Sequence, residues 1–149
     1  MSNGEPLGAG NKILDVWLDS SLDSVDAAES RVLQAAGDVG FEEDDLHKLG
    51  MAVREAMVNA VVHGNRYNSR KKVHLEITHI EGRLNVAITD QGEGFDPRTI
   101  PDPLAEENLL RQSGRGILLI QAFVDEFSIK PGDPQGTRIT LVKYRGGRP

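Results

Sequence analysis

Glu55 and Asn59 stand one helical turn apart in a run, Arg54 to Asn65, that is otherwise largely apolar. Positions four apart differ by only about 40° around an α-helix, so Glu55, Asn59 and His63 form a row on one face. Met51, Val58 and Val62 flank that row. An ordinary solvated face is not bordered this way, and the flanks imply that something covers it. A half-dry carboxylate can accept a proton from a hydroxyl. An amide oxygen suits a hard cation that keeps some of its waters. Taken alone, Glu-x-x-x-Asn is a common pattern, and a surface pair on an amphipathic helix explains it as well.

Three more groups could do chemistry. Asp90 ends an apolar run and is followed by Gly92 and Gly94. Glycine permits positive φ and close approach of backbone to a ligand, and a carboxylate here could accept hydrogen bonds from an exocyclic amine such as adenine's. A tight strand-exit turn would need only one of the two glycines. No Lys-Ser/Thr follows, so this is not a P-loop. Gly114, Arg115 and Gly116 precede the apolar run Ile117 to Ile120. Free N–H groups at a helix start favour phosphate, and Arg115 adds a cation. A capped helix with a surface arginine is the plainer alternative. Gly136-Thr137 opens the last strand and, alone, reads as a turn.

These groups need elements to hold them. Lys12–Asp19, with Ile13, Val16 and Leu18, reads as a first strand. Leu22, Val25, Ala28, Val32, Leu33 and Ala36 recur at helical spacing, closed by Gly37 to Gly40. A second helix is expected from Glu43 to about His63, with Leu46, Leu49, Val53, Ala56, Met57 and Ala60 on its apolar face and Gly64 and Asn65 as its terminators. Glu55 and Asn59 lie roughly opposite. Val73, Leu75 and Ile77, the turn Glu81-Gly82, and Leu84, Val86 and Ile88 make a hairpin ending at Asp90. Residues 91–113 form a long loop, and 96–113 should be a mobile lid. A helix at Gly116–Phe123 and strands at Val124–Lys130 and Thr137–Tyr144 close the chain. Hairpin-joined strands with grouped helices predict an α+β fold, a two-layer sandwich whose mixed, mostly antiparallel sheet is covered by helices on one face.

The 149 residues suffice for one domain with a core, expected at 12–144 between a flexible tail (1–11) and a short basic tail (145–149). The net charge of −6 argues against non-specific nucleic-acid binding. With no cysteine there is no disulfide framework or thiolate metal site. Neither a signal peptide nor a membrane-length apolar run is evident, so a cytoplasmic protein without membrane contact is expected.

In order and spacing, the motifs resemble the Bergerat-fold (GHKL) ATPase superfamily of gyrase, heat-shock chaperone, histidine kinase and mismatch-repair ATPases. They look most like its bacterial anti-sigma factor serine/threonine kinases. The resemblance rests on Glu-Ala-x-x-Asn-Ala-x-x-His-Gly-Asn at 55–65, Asp-x-Gly-x-Gly-Phe-Asp at 90–96, Gly-Arg-Gly-Ile at 114–117 and Gly-Thr at 136–137. Pro101 to Arg111 also looks like that subfamily's short lid.

The resemblance implies ATP and Mg²⁺ as cofactors. Asn59 would be the Mg²⁺ ligand and Glu55 the general base. Asp90 would take the adenine amine, supported by Thr137, with Gly92 and Gly94 passing close to the base. Gly114, Arg115 and Gly116 would face the phosphates, Arg115 stabilising the transferring charge. His63 and Arg66 would lie near the phosphate end, where a structural hydrogen bond is an equal reading of His63. The implied partners are a STAS-domain anti-anti-sigma protein, a sigma factor and a second copy of the kinase as homodimer. Two rivals remain: an ATP-binding partner-switching scaffold without kinase activity, which would not need Glu55, and a histidine-kinase-like ATPase domain, for whose dimerisation hairpin about 40 residues before the Glu55 helix leave no room.

Overall fold

The computed structural model describes residues 10–94 and 116–147. In chain order these form β1 (Asn11–Asp19), α1 (Leu22–Asp38), α2 (Glu43–Val58), a π-helical turn (Asn59–Gly64), β2 (Lys72–Ile80), β3 (Arg83–Thr89), α3 (Gly116–Phe123), β4 (Glu126–Pro131) and β5 (Thr137–Tyr144). The five strands make one sheet in the order β1-β2-β3-β5-β4. Each neighbouring pair is antiparallel, in line with the mostly antiparallel sheet that was expected.

The alternation of the strands decides which face the helices cover. Val73, Leu75 and Ile77 of β2, Leu84, Val86 and Ile88 of β3, and Ile139 and Leu141 of β5 are all buried and enter one core. Their register places Leu75 opposite Ile88 and Val86 opposite Leu141. The helices contribute Val25, Ala28, Val32 and Ala36 from α1 and Leu49, Val53, Ala56 and Met57 from α2. Small residues at Ala28, Ala36, Ala52 and Ala56 let these helices approach closely. Lys143 is buried on the same side, with Asp45 at 3.6 Å and Asp125 at 3.8 Å.

The opposite face is charged. Glu76 accepts hydrogen bonds from Lys12 (2.6 Å) and Arg138 (2.9 Å). His74 meets Asp15 at 2.5 Å, and Trp17 stacks flat on the His74 ring at 4.3 Å. Two apolar residues do not sit where their periodicity suggests. Ile13 falls in a register shift between Lys12 and Leu14, which turns it outward, 43% exposed. Leu22 lies at the very start of α1, before the helix reaches the sheet, and is 54% exposed.

The second helix departs from expectation. It is α-helical only to Val58, and the segment Asn59–Gly64 widens into a π-turn. The Asn65 N–H reaches back five residues to the Ala60 carbonyl at 2.8 Å. The row Glu55, Asn59, His63 is therefore regular only as far as Asn59. No helix among the described residues is long and apolar enough to cross a membrane.

Candidate functional site: a pocket between the π-turn, Asp90 and α3

Asn59 is the first residue of the π-turn, at the point where α-helical spacing gives way. Such widened turns occur mostly as single-turn insertions and often at functional sites. Ala60 and Val61, buried in the core, anchor the turn, while Asn59 is half-buried and faces a cavity. Its amide Nδ2 is buried without a hydrogen-bond partner among the described residues. A buried amide left unpaired costs free energy, so this group is poised for a ligand.

Asp90 forms the floor at the other end. It follows β3 and is buried. Its N–H donates to the Thr137 carbonyl at 3.0 Å. Its Oδ1 accepts from the Gly92 N–H at 2.9 Å and the Thr137 N–H at 3.1 Å. Oδ2 accepts nothing among the described residues, which leaves one carboxylate oxygen available to a donor in the cavity. Burial raises the pKa of Asp90 above its ordinary 3.8, and the Gly92 and Thr137 N–H groups and the Lys71 charge only partly oppose it.

The backbone crowds this carboxylate from several sides. A Cβ on Gly64 would overlap Asp90 Oδ2 and Cγ, and one on Gly136 would overlap the Asp90 carbonyl. Gly136 also has φ +86°, a conformation side chains disfavour. A Cβ on Gly92 would strike the Gly64 carbonyl, and one on Gly94 would lie 2.5 Å from the Gly136 carbonyl. Each of these glycines closes a gap between two segments around Asp90.

Gly116 joins the third group to the first. A Cβ there would lie 3.1 Å from Glu55 Oε2 and 3.8 Å from both polar atoms of the Asn59 side chain. The start of α3 therefore sits directly on the Glu55–Asn59 pair. Glu55 is half-buried, one turn before Asn59, just beyond the cavity wall.

The cavity between these ends has a volume of about 400 Å³, within the range of small-molecule sites. Asn59 and Ile117 line one end and Asp90, Gly94 and Thr137 the other. Ile129 and Ile139, paired across β4 and β5, supply an apolar wall. His63 is exposed at the margin and lines the cavity with Arg66 and Glu93.

A family profile described as the histidine kinase-like ATPase domain matches residues 18–143. The chain belongs to the histidine kinase-like ATPase domain family. Relatives within the family include a protein named serine-protein kinase RsbW from Staphylococcus epidermidis, 32% identical over 112 residues, covering 70% of this chain and 69% of the relative. Another serine-protein kinase RsbW, from Oceanobacillus iheyensis, is 29% identical over 137 residues, 88% of this chain and 85% of its own. The anti-sigma F factor of Bacillus subtilis is 32% identical over 103 residues, covering 68% of this chain and 70% of its own. The fold matches the crystal structure of the RsbU and RsbW domains of a Mycobacterium tuberculosis protein with a TM-score of 0.65 at 21% identity. That match covers 91% of this chain and 33% of the crystallised chain, so this chain spans about a third of the length of the one it matches.

Of the residues singled out in the sequence, Asn59, His63, Arg66, Asp90, Gly94 and Thr137 line this cavity, and Glu55, Gly92 and Gly116 pack directly behind or beside it. Gly114, Arg115 and the 96–113 stretch lie outside the described residues. Sequence reasoning assigned no part in binding to Gly64, Asn65, Ile129 or Ile139. Gly64 reads as a helix terminator, and only the fold reveals that its missing side chain makes room for Asp90. Ile129 and Ile139 look like any inward strand residues.

Proposed function

We propose that this chain is an ATP-dependent serine/threonine-protein kinase of the anti-sigma type. It transfers the γ-phosphoryl group of ATP to a serine of a STAS-fold anti-anti-sigma partner, and it holds a sigma factor as a homodimer. The observation that carries the reading is the seating of Gly116 against Glu55 and Asn59 at the far end of the Asp90 cavity. The proposed base and the proposed phosphate-receiving residue Gly116 thereby lie side by side. The names of the relatives, serine-protein kinase and anti-sigma factor, support the same reading.

Asp90 Oδ2 accepts the adenine amine, and Thr137 holds the other carboxylate oxygen in place. Gly92 and Gly94 keep the backbone close to the base, and Ile129 and Ile139 exclude water from its face. Gly116 opens α3, where free N–H groups and partial positive charge collect, and with Gly114 and Arg115, which precede it in sequence, it receives the phosphates. Arg115 neutralises charge on the transferring group. Arg66, a cation at the cavity margin, adds to this field, and His63 lies beside it. Glu55, half-dry and one turn from Asn59, takes the proton from the attacking serine hydroxyl.

Asn59 fits a Mg²⁺ site through its amide oxygen, which can serve a hard cation that retains waters, while its buried, unpartnered Nδ2 can donate to a phosphate oxygen. The ion would be held by Asn59 and would supply neutralisation of phosphate charge. The test is incubation with ATP, Mg²⁺ and a STAS-fold partner, read as phosphoserine by mass spectrometry. Stoichiometric phosphoserine on the partner is expected. ATP binding without any transfer would remove the kinase assignment and leave a nucleotide-binding scaffold.

A further inference from the structure

Asn65 is 1% exposed, the most deeply buried polar side chain among the described residues. It uses its whole amide. Nδ2 donates to Ser20 Oγ and to the Lys72 carbonyl, both at 2.9 Å. Oδ1 accepts from the Gln91 N–H at 2.8 Å. Its backbone N–H closes the π-turn on Ala60. One residue therefore ties together the turn that begins at Asn59, the end of β1, the start of β2, and the residue directly after Asp90.

Gln91 is fixed from further sides. Its Oε1 accepts from the Lys72 N–H at 2.6 Å, and its carbonyl accepts from Gln135 Nε2 at 3.0 Å. The Asp90 backbone is thus clamped on both flanks, by the Thr137 carbonyl before it and by Asn65 after it. The next N–H, of Gly92, is one of the two donors that orient Asp90 Oδ1. Hydrogen bonds weaken steeply with misalignment. Releasing the Gln91 N–H would let Gly92 drift and the carboxylate turn.

We propose that Asn65 is the positioning residue for nucleobase selection, because its amide holds the Gln91 N–H and so fixes the direction in which Asp90 presents Oδ2. This rests on the reading of Asp90 as the acceptor of the adenine amine. Asparagine is required because the site demands two donors and an acceptor from one planar group. A side chain without them would strand the Lys72 carbonyl and the Gln91 N–H in a dry site.

The experiment compares ATP with inosine triphosphate, which carries a carbonyl oxygen where ATP has the amine. Binding of both is measured for the wild type, Asn65→Ala, Asn65→Asp and Ser20→Ala, with Val32→Ala as a control destabilised far from the site. The wild type should prefer ATP by about 10- to 100-fold, the worth of one hydrogen bond to a charged acceptor. Asn65→Ala should bring the ratio within about threefold, mainly through weaker ATP binding. Asn65→Asp keeps the acceptor for Gln91 and should retain most of the preference despite a lower melting temperature. Ser20→Ala, which loosens the amide without touching the cavity, should give an intermediate ratio and tests the idea even if Asn65→Ala does not fold. Val32→Ala should lose stability and keep the ratio.

An unchanged ratio in folded Asn65→Ala, or in Ser20→Ala, would make Asn65 a structural tie only and overturn the proposal. A wild type indifferent to the amine would overturn the Asp90 reading itself, and the proposal with it.

Discussion

Gly64 presses its bare Cα against the Asp90 carboxylate: a Cβ at 64 would overlap Asp90 Oδ2 and Cγ and reach within 3.0 Å of Asp90 Cβ. The C-terminal end of the π-turn and the acid after β3 thereby form one surface. Gly64→Ala should displace Asp90 and destabilise the fold by about 1–3 kcal/mol, the usual cost of overpacking. It should also weaken ATP binding more than Gly37→Ala, whose added Cβ meets nothing within 4 Å. Thermal melts and calorimetric titration of both variants check this. Equal ATP affinity in the two would show that the contact does not shape the site.

Asp90 should trade stability for binding. Burial raises its pKa, so the fold disfavours its ionised form. A raised carboxyl pKa contributes stability that is fully present below the unfolded value and is lost as pH rises through the folded value. Asp90→Asn keeps an acceptor for the Gly92 and Thr137 N–H groups and carries no charge. The nucleotide-free variant should therefore be more stable than the wild type at neutral pH, with the advantage shrinking under acid. Its ATP affinity should fall. Urea melts across pH, with parallel ATP titrations, read both effects. A variant less stable at neutral pH would contradict the burial argument.

The charged face of the sheet should behave in the opposite sense. Partial burial works against ionisation of Glu76, but hydrogen bonds from Lys12 and Arg138 together outweigh it and hold its pKa below the ordinary 4.5. Asp15 is held below 3.8 chiefly by its hydrogen bond with His74. Depressed carboxyl pKa values give stability that is present above the unfolded values and lost as pH falls through the folded ones. The wild type should lose stability below about pH 4.5, and Glu76→Gln should flatten that loss. High salt should weaken the contribution, since the groups are partly exposed. Identical acid limbs for both proteins would remove Glu76 from the account.

Much of this architecture is legible in the sequence, because period and punctuation agree with the final environment. The hairpin follows from alternation in Val73–Ile77 and Leu84–Ile88 and a two-residue turn. The buried face of α2 follows from helical spacing. The π-turn was not legible. Whether a helix carries on with bonds to the fourth residue back or widens to the fifth depends on what its end packs against, here Asp90 and Gln91. Asn65 looked like a helix stop, since a buried asparagine and a solvated one have the same neighbours in sequence. Only the return of β1, β2 and Gln91 to one point distinguishes them. Ile13 and Leu22 were misplaced because periodicity cannot see a β-bulge or the point at which a helix first meets its sheet.

In the proposed reaction Glu55 serves proton transfer while the residues lining the cavity bind nucleotide. Glu55→Gln keeps the shape and removes the base. The direct measurement is single-turnover transfer of labelled γ-phosphate to a STAS-fold partner, alongside ATP affinity, for wild type and variant. Transfer should slow by about 10²- to 10⁴-fold, as for loss of a general base, with ATP affinity essentially unchanged. Transfer at the wild-type rate in Glu55→Gln would contradict it.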